Sequence, residues 1–354
     1  MSKSTVQSAG CSKLFSGPVR DEQHNRLEAK LKRELGDTVL ELLADARSED
    51  IVLNPDSSLW VKRMGESFEA MGEMPPAQAA SALNTIAAWK GTVMNHERPI
   101  LETELPLDGS RFEGLVSPVV RRPTFAIRLR PKRIFTLDEY EHAGILTEKA
   151  DARNRTRKRD TFVEDVRGLS HAAVIRTAVA ARKNILVVGA TGSGKTTFVN
   201  AILDVMAFTA PGDRVVSIED TAELQCSAPN FVDLRAVGNV TMLDCLRACM
   251  RLKPTRIVVG EVRGPEAHTM LKAWNTGHPG GAATVHANDT LSGLTRLESL
   301  VAEATSAPQQ TLIAEAVDLA VFIDQDSSLA AGRKVREVAL VIGYRDGRYQ
   351  VEYV

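Results

Sequence analysis

Apolar residues in the first third of the chain recur with two different periods, one typical of helices and one of strands. Leucine and valine repeat every three or four positions over residues 22–46, which predicts an amphipathic helix. The segment IVLNPDSSLWV predicts two strands joined by a turn, because Asn-Pro-Asp-Ser separates two apolar triplets. A second helix is predicted over residues 76–90, and further strands over 112–120 and 124–129. Residues 21–133 are therefore predicted to form a small mixed α/β domain.

Polar sequence flanks this domain on both sides. Residues 1–20 are small and polar and are predicted to be a disordered tail. Residues 134–160 are predicted to be a linker, in which the stretch ADARNRTRKRD concentrates basic side chains. One interpretation of this stretch is a solvated surface, the usual role of a charge run. The other is a contact with a neighbouring subunit or with anionic lipid.

Strands and helices alternate after residue 160. This alternation predicts the α/β class, with a mainly parallel sheet over residues 161–354. The chain ends in a predicted hairpin with Asp346 and Gly347 at its turn. The other strands are predicted over residues 184–189, 214–219, 256–260 and 282–286, and the helices over 196–206, 242–252 and 265–275.

The charge and the cysteine content narrow the classes of function. Lys and Arg total 44 and Asp and Glu total 45, so the net charge is −1. Proteins that bind nucleic-acid backbones non-specifically usually carry a basic surplus, so this composition argues against that class. No apolar run approaches the roughly 18 residues of a membrane span, and the first residues lack the apolar core of a secretory signal. Four cysteines in 354 residues do not make a disulfide framework, which is typical of the reducing cytoplasm.

The strongest chemical motif is GATGSGKTT, which fits G-x-x-x-x-G-K-[ST] at every fixed position. It follows a predicted strand and opens a predicted helix, so its backbone N–H groups and the positive helix end can face phosphate. Lys195 is expected to reach the β- and γ-phosphates of a nucleoside triphosphate and otherwise to be solvated, and Thr196 to ligate Mg²⁺. The residues predicted to bind the nucleotide are Gly189, Ala190, Thr191, Gly192, Ser193, Gly194, Lys195, Thr196 and Thr197.

Carboxylates follow two other predicted strands, at the edge where open α/β sheets bind ligands. The segment RVVSIEDTAEL ends its strand at Glu219 and Asp220, one of which is expected to orient and deprotonate the attacking water. The alternative for Asp220 is a helix N-cap. The segment RIVVGEVRG resembles a Walker B strand, with Gly260 at the usual acidic position and Glu261 one residue later. Glu261 is predicted to face Mg²⁺ or its water shell, and Arg263 to pair with Glu261 or a neighbour.

Two histidines lie in the segment TGHPGGAATVHAND. His286 ends a predicted strand and is expected to lie beside the phosphate-binding loop, where it can hydrogen-bond a γ-phosphate. A buried structural histidine is the second interpretation. A metal site shared with His278 is the third, and it is weak because no cysteine or glutamate partner lies nearby. Cys245 and Cys249, four residues apart on a predicted helix, are interpreted as small core residues.

These four motifs, in this order, resemble those of the secretion (traffic) ATPases of type IV secretion, type II secretion and type IV pili. In that family they are called Walker A, the Asp box, Walker B and the His box. The upstream segments DIVLNPDSSLWV, RPILETELPLDGSRFEGLVSPVV and FAIRLRP resemble the family's amino-terminal domain. The tetracysteine motif of the type II and pilus-extension ATPases is absent, and the region after His286 lacks the AIR-type motif of the pilus-retraction motors. The resemblance is therefore nearest to the conjugal-transfer branch.

The resemblance implies an α/β protein with a RecA-like P-loop ATPase domain over residues 161–354, preceded by a smaller, PAS-like domain. It implies a homohexameric ring, peripheral on the cytoplasmic face of the inner membrane. The ring would bind membrane components of a type IV secretion apparatus and hydrolyse ATP with Mg²⁺ to drive pilus assembly and transfer. Sequence-specific binding of nucleic acid is not expected. By the same resemblance, Glu219 is the general base, Glu261 acts on Mg²⁺ and water, and His286 senses phosphate.

Two arginines of the amino-terminal domain match positions that reach the nucleotide in this family. They are Arg111, in DGSR, and Arg128, in FAIRL. Arg128 alternates with apolar Ile127 and Leu129, so its side chain is predicted to point away from the core. One interpretation is a solvent-facing strand residue. The other is an arginine finger that closes over the γ-phosphate when the two domains move together.

Two other functions fit a P-loop. A nucleic-acid translocase on a RecA-like core is disfavoured by the near-zero net charge and by the low aromatic content of 5%. A P-loop kinase of small molecules is disfavoured by the long segment before the loop and by the lack of an arginine-rich lid segment after it.

Overall fold

The computed structural model of the chain describes residues 18–133, 135–146 and 161–354. Residues 1–17 of the predicted tail and the basic stretch ADARNRTRKRD lie outside the described residues. The described part contains two sheets, one formed before and one after that basic stretch.

The first sheet has six antiparallel strands in the order β3-β2-β1-β6-β5-β4. Side chains alternate between its two faces. Ile51 and Leu53 pack under the helices α1 and α2, while Val52 between them packs against the second sheet. The elements are α1 (Pro18–Ala44), β1 (Ser48–Leu53), β2 (Ser58–Arg63), β3 (Phe68–Glu73), α2 (Pro76–Trp89), β4 (Ile100–Glu104), β5 (Arg111–Leu115) and β6 (Thr124–Arg128).

The main differences from the sequence predictions in this part are two boundaries and two strands that were not predicted. Helix α1 begins at Pro18, inside the predicted tail, because proline is favoured in the first helical turn. The strand predicted over residues 112–120 ends at Leu115, and a turn follows because Pro118 has no N–H to continue the ladder. Strands β3 and β4 were not predicted.

The second sheet has eight strands in the order β14-β13-β12-β7-β11-β10-β8-β9. The six strands from β12 to β9 are parallel, and β13 and β14 are antiparallel, so the sheet is mixed but mainly parallel as predicted. Its strands are β7 (Ile185–Val188), β8 (Arg214–Glu219), β9 (Asn230–Arg235), β10 (Arg256–Val259), β11 (Ala282–Val285), β12 (Leu319–Gln325), β13 (Arg333–Arg345) and β14 (Arg348–Tyr353).

Helices cover both faces of this sheet and bury separate apolar clusters. One cluster contains Val199, Ile202 and Leu203 of the helix after β7, and the other contains Leu294 and Leu297 on the opposite face. Among the described residues the helices are α3 (Leu137–His142), α4 (Phe162–Val166), α5 (His171–Ala180), α6 (Lys195–Thr209), α7 (Met242–Arg251), α8 (Glu266–Asn275), α9 (Thr290–Ala302) and α10 (Gln310–Ala316).

A fully buried arginine joins the two sheets. Arg214, the first residue of β8, donates from Nη1 to the Asn54 side-chain oxygen (2.6 Å) and from Nε to the Leu252 carbonyl (2.6 Å). The Asn54 amide in turn donates to the side-chain oxygen of Asn230, on β9, at 3.1 Å. A buried charge is tolerated only when it is hydrogen-bonded in this way, so these contacts fix the first sheet against β8 and β9.

A buried carboxyl group lies between the sheets without a hydrogen bond. The Glu113 side chain is 2% exposed, and neither carboxylate oxygen has a hydrogen-bond partner among the described residues. It borders two cavities of about 510 and 640 Å³, and the nearest basic atom, Arg251 Nη1, is 3.7 Å away. Burial raises the pKa of Glu113 to about 8, although Lys90 acts in the opposite direction.

Replacing Glu113 with glutamine is expected to remove a pH dependence of stability. Below the ordinary pKa of 4.5 the carboxyl is protonated in both the folded and the unfolded state. Between pH 4.5 and 8 the Glu113 carboxyl is ionised in the unfolded state but not in the folded state. The unfolding free energy of the wild type therefore falls by at most about 1.4 kcal/mol for each unit of rising pH. The unfolding free energy of Glu113→Gln should not fall in this way, because glutamine does not ionise. Urea denaturation of both proteins at pH 5 to 8 measures the difference in unfolding free energy.

The matched control is Glu102→Gln, because Glu102 is the exposed cross-strand partner of Glu113. Its unfolding free energy should follow the wild-type pH dependence. If the Glu113→Gln and wild-type curves ran parallel from pH 5 to 8, the raised pKa would be wrong.

Candidate active site

The glycines of the motif GATGSGKTT shape the turn between β7 and α6. Gly192 and Gly194 have φ values of 75° and 94°, a region that side chains with a Cβ rarely adopt. A Cβ on Gly189 would lie 2.3 Å from the Ile323 carbonyl oxygen, so only glycine fits there. The turn therefore has the strand–loop–helix context that the sequence predicts for a phosphate-binding loop.

Lys195, the first residue of α6, is buried rather than solvated, which corrects the expectation from the sequence. It is 7% exposed, and its Nζ donates to the Ala190 carbonyl (3.0 Å) and lies 3.3 Å from His286 Nδ1. Burial lowers the pKa of Lys195. A desolvated ammonium with only one carbonyl and one imidazole beside it suits an anionic ligand.

Glu219 ends β8 inside the sheet edge and is 6% exposed. Its Oε1 accepts backbone N–H bonds from Glu223 (3.0 Å) and Leu224 (2.9 Å). Burial raises the pKa of Glu219 and outweighs these two bonds. A Cβ on Gly260, at the end of the neighbouring strand β10, would lie 3.0 Å from Glu219 Cγ. Glycine at the usual acidic position of the Walker B strand therefore leaves room for the Glu219 side chain.

Glu261 lies at the centre of a chain of polar contacts. Its carboxylate accepts two bonds from Arg263, at 2.6 and 3.0 Å, and lies 3.1 Å from His286 Nε2. Arg263 also donates to Asp220 at 2.5 Å. Burial acts to raise the pKa of Glu261, but the contacts with Arg263 and His286 outweigh it and hold the pKa below its ordinary value. The prediction that Arg263 pairs with Glu261 or a neighbour is confirmed.

The structure thus brings the four motifs together at one edge of the sheet. Strands β7, β11, β10 and β8 are neighbours, and their carboxyl ends lead to Lys195, His286, Glu261 and Glu219 respectively. Contacts run without a break from Lys195 through His286, Glu261 and Arg263 to Asp220. Parallel strands end at the same edge, which is why residues about 90 positions apart in sequence meet here.

Two alternatives left open by the sequence do not fit this geometry. No helix begins at Asp220 within the described residues, so the N-cap interpretation is wrong. His278 precedes β11 and its Nδ1 donates to the Pro254 carbonyl (2.8 Å), whereas His286 follows that strand, so the two histidines cannot share a metal. Cys245 and Cys249 are buried in the core, as predicted.

Arg111 and Arg128 lie at the opposite edge of the large sheet. They are cross-strand partners on β5 and β6, and both line a cavity with Lys253. Lys253 precedes β10, and its Nζ lies 3.1 Å from a carboxylate oxygen of Asp50, the cross-strand partner of Arg128 on β1. The amino end of β10 is the edge away from the phosphate-binding loop. Within one chain, this structure does not bring the two arginines to Lys195.

One basic residue at the loop was not predicted from the sequence. Arg333 begins β13, and its Nη1 lies 3.4 Å from Thr197 Oγ1. A Cβ on Gly194 would lie 2.2 Å from that same Nη1, so the arginine passes directly over this glycine. No motif surrounds Arg333 in the sequence. It lies at the loop because β13 pairs with β12, and β12 pairs with β7, the strand that precedes the loop.

Comparison with known proteins agrees with this arrangement. The family model for type II/IV secretion system proteins matches residues 164–326. The conjugal transfer protein TrbB of Rhizobium radiobacter is 44% identical over 330 residues, which cover 93% of this chain and 95% of that protein. Protein VirB11 of Agrobacterium fabrum is 30% identical over 80% of this chain and 86% of its own length.

A solved structure is similar over almost the whole chain. The VirB11 ATPase from the Brucella suis type IV secretion system, crystallised with sulphate, superposes with a TM-score of 0.81 at 26% identity. The match covers 90% of this chain and 97% of that one. None of the described helices is both long enough and apolar enough to cross a lipid bilayer. With a nearly full-length relative at 44% identity and a P-loop that meets three further polar motifs at one sheet edge, the chain belongs to the type II/IV secretion ATPase family and is an ATP hydrolase.

Proposed function

We propose that the protein is a homohexameric ATPase that powers conjugal transfer through a type IV secretion apparatus. The ring lies on the cytoplasmic face of the inner membrane and contacts membrane components of the apparatus, with no sequence-specific nucleic acid as ligand. The observation that carries this proposal is the unbroken line of contacts from Lys195 to Asp220 through His286, Glu261 and Arg263. The similarity to TrbB and VirB11 over most of the chain supports the transfer role.

We further propose a division of the chain into working parts. Residues 18–133, which include the whole of helix α1, form a PAS-like amino-terminal domain, residues 134–160 a linker, and residues 161–354 a RecA-like P-loop ATPase domain. The antiparallel sheet with two helices on one face supports the first assignment, and the mainly parallel sheet with helices on both faces supports the last.

The phosphate-binding loop holds the triphosphate of ATP. Backbone N–H groups over residues 189–197 face the phosphates, and the Lys195 ammonium bonds to the β- and γ-phosphates. Thr196 is half-buried at the start of α6, and together with Glu261 it would hold Mg²⁺, which supplies charge neutralisation at the phosphates when bound. One hydroxyl and one carboxylate fit Mg²⁺, since this ion keeps several waters and binds substrate phosphate.

Glu219 and His286 act at the γ-phosphate end. Glu219, with its raised pKa, is the general base that takes a proton from the attacking water. His286 lies between the Lys195 ammonium and the Glu261 carboxylate, so a γ-phosphate near Lys195 changes both of its hydrogen bonds. His286 therefore senses whether phosphate is present.

Arg111 and Arg128 act on the nucleotide of a neighbouring subunit. They lie at the edge of the sheet away from their own loop, while Ala190, Thr191 and Gly192 of that loop are exposed. A head-to-tail ring brings one edge of each subunit against the opposite edge of the next, so each site is completed by its neighbour. There the arginines stabilise the charge of the transition state.

The direct test of the proposed function is phosphate release from ATP by the full-length protein. We expect steady turnover that stops when EDTA removes Mg²⁺ and returns with added Mg²⁺, and six-fold rings in negative stain. Release of phosphate at the same rate in EDTA would contradict the Mg²⁺ assignment. Monomers that hydrolyse ATP at the full rate would contradict the ring.

Glu219→Gln is expected to bind ATP normally and to hydrolyse it at least about a hundredfold more slowly, the scale of a lost general base. Glutamine keeps the side-chain oxygen that accepts the bonds from Glu223 and Leu224, so the local fold is retained. Glu223→Gln is the matched control, because that carboxylate is exposed and only its backbone bonds to Glu219. If Glu261→Gln alone reproduced this phenotype, the roles of Glu219 and Glu261 would be exchanged.

A further inference from the structure

An arginine outside all four motifs lies directly on the phosphate-binding loop. The Arg333 side chain crosses Gly194, the residue at which α6 begins, and its Nη1 lies 3.4 Å from Thr197 Oγ1. Gln325, its cross-strand partner on β12, lies beside Gly192 of the same loop. The β12–β13 hairpin thus forms one wall of the loop.

The charge of Arg333 is not neutralised in the described part of the chain. No carboxylate there lies within 4.0 Å of its guanidinium, and its one hydrogen bond goes to a neutral hydroxyl. Arg336 on the same strand differs, since its Nη2 is 3.1 Å from the Asp326 carboxylate. A guanidinium with unused donors beside backbone N–H groups is suited to a phosphate oxygen.

The strand order decides which phosphate that is. Lys195, His286 and Glu261 mark the γ-phosphate end, and they lie toward β11 and β10, on one side of β7. Arg333 comes from β12 and β13, on the other side of β7. The triphosphate must therefore run across the loop with its α-phosphate and nucleoside toward Arg333.

We propose that Arg333 binds the α-phosphate of the nucleotide. This inference rests on the proposed ATPase function and adds a binding residue to the same site. Because the α-phosphate is common to ATP and ADP, Arg333 binds both equally and holds ADP after the γ-phosphate has left.

Isothermal titration of the full-length protein with ADP, and separately with the β,γ-imido analogue of ATP, tests this assignment. Arg333→Ala should raise Kd about tenfold for both nucleotides, the lower range for a hydrogen bond to a charged group. Arg333→Lys should recover part of the loss, because lysine keeps the charge but not the planar fork. Arg336→Ala, which also removes an arginine from β13, should leave both Kd values within about twofold of the wild type, because the guanidinium of Arg336 is paired with Asp326 and has no contact with the phosphate-binding loop among the described residues.

Three results would overturn the assignment. One is an Arg333→Ala protein with wild-type Kd values. Another is a rise in the Kd of Arg333→Ala for the triphosphate analogue but not for ADP, which would put the contact at the γ-phosphate. The third is an equal rise in both Kd values for Arg336→Ala, which would mean that either substitution disturbs the β12–β13 hairpin as a whole. No binding of either nucleotide by the wild type would overturn the proposed function as well, so the two failures are distinguishable.

Discussion

Replacing Lys195 with alanine is expected to lower ATP turnover by about a thousandfold or more, which leaves no measurable phosphate release. Lys195 is the cation that the fold holds desolvated beside the Ala190 carbonyl and His286, and a charge in such a site is worth far more to a transition state than the same charge in water. Its loss also removes a contact of His286. Phosphate release at saturating ATP measures the effect.

The variant should remain folded. Burial disfavours the charged form of Lys195, so removing the ammonium relieves a desolvation cost while leaving a small cavity. Lys272→Ala, which removes an exposed lysine from α8, is the matched control and should keep wild-type turnover. Unchanged turnover in Lys195→Ala would contradict the assignment of the phosphate-binding loop.

Arg128→Ala is expected to lower turnover by about 10³-fold or more, the scale of a lost arginine finger. Mixing Arg128→Ala subunits with Lys195→Ala subunits should restore turnover that neither has alone. In a mixed ring, the intact loop of an Arg128→Ala subunit can face the intact Arg128 of a Lys195→Ala neighbour, which completes the site. Random assembly from equal amounts of the two variants gives about one such site in four.

The control variant is Arg130→Ala, which removes an exposed arginine two residues further along that is paired with Glu104. It should keep wild-type turnover alone and in mixtures. If subunits were shown to exchange and the mixture still stayed inactive, Arg128 would have to act within its own chain. That result would require the first sheet to move across the second, against the contacts of Arg214 and the pairing of Lys253 with Asp50.

The sequence predicted well the strands and helices that lead to the four motifs, because each motif carries its own local context. Strand β8 has the predicted bounds, and the helices and strands around Lys195, Glu261 and His286 differ from prediction by only a few residues at their ends. In each case an apolar run is followed at once by glycine or a charged residue. A short buried strand with a polar end is the clearest pattern that one sequence offers.

Other features depended on contacts that no local pattern carries. Arg214 looks like an ordinary polar start of a strand, yet it is fully buried because Asn54 lies 160 positions away in sequence and adjacent in space. Arg333 reaches the loop only through strand pairing. The alternation of apolar residues around Arg128 correctly predicted an exposed side chain. The pattern does not indicate which edge of the second sheet the Arg128 side chain lies near.

Strand β8 has the buried inter-sheet arginine Arg214 at one end and Glu219, the proposed general base, at the other. Six residues at about 3.3 Å per residue make a rod of roughly 17 Å. Its neighbours β10 and β9 hydrogen-bond along its length, so it cannot bend without breaking two ladders. A displacement of the first sheet that pulls on Asn54 would therefore be transmitted along β8 to the position of Glu219, the proposed general base. Under the proposed function, load on the ring and the rate of water activation would be linked through this one strand.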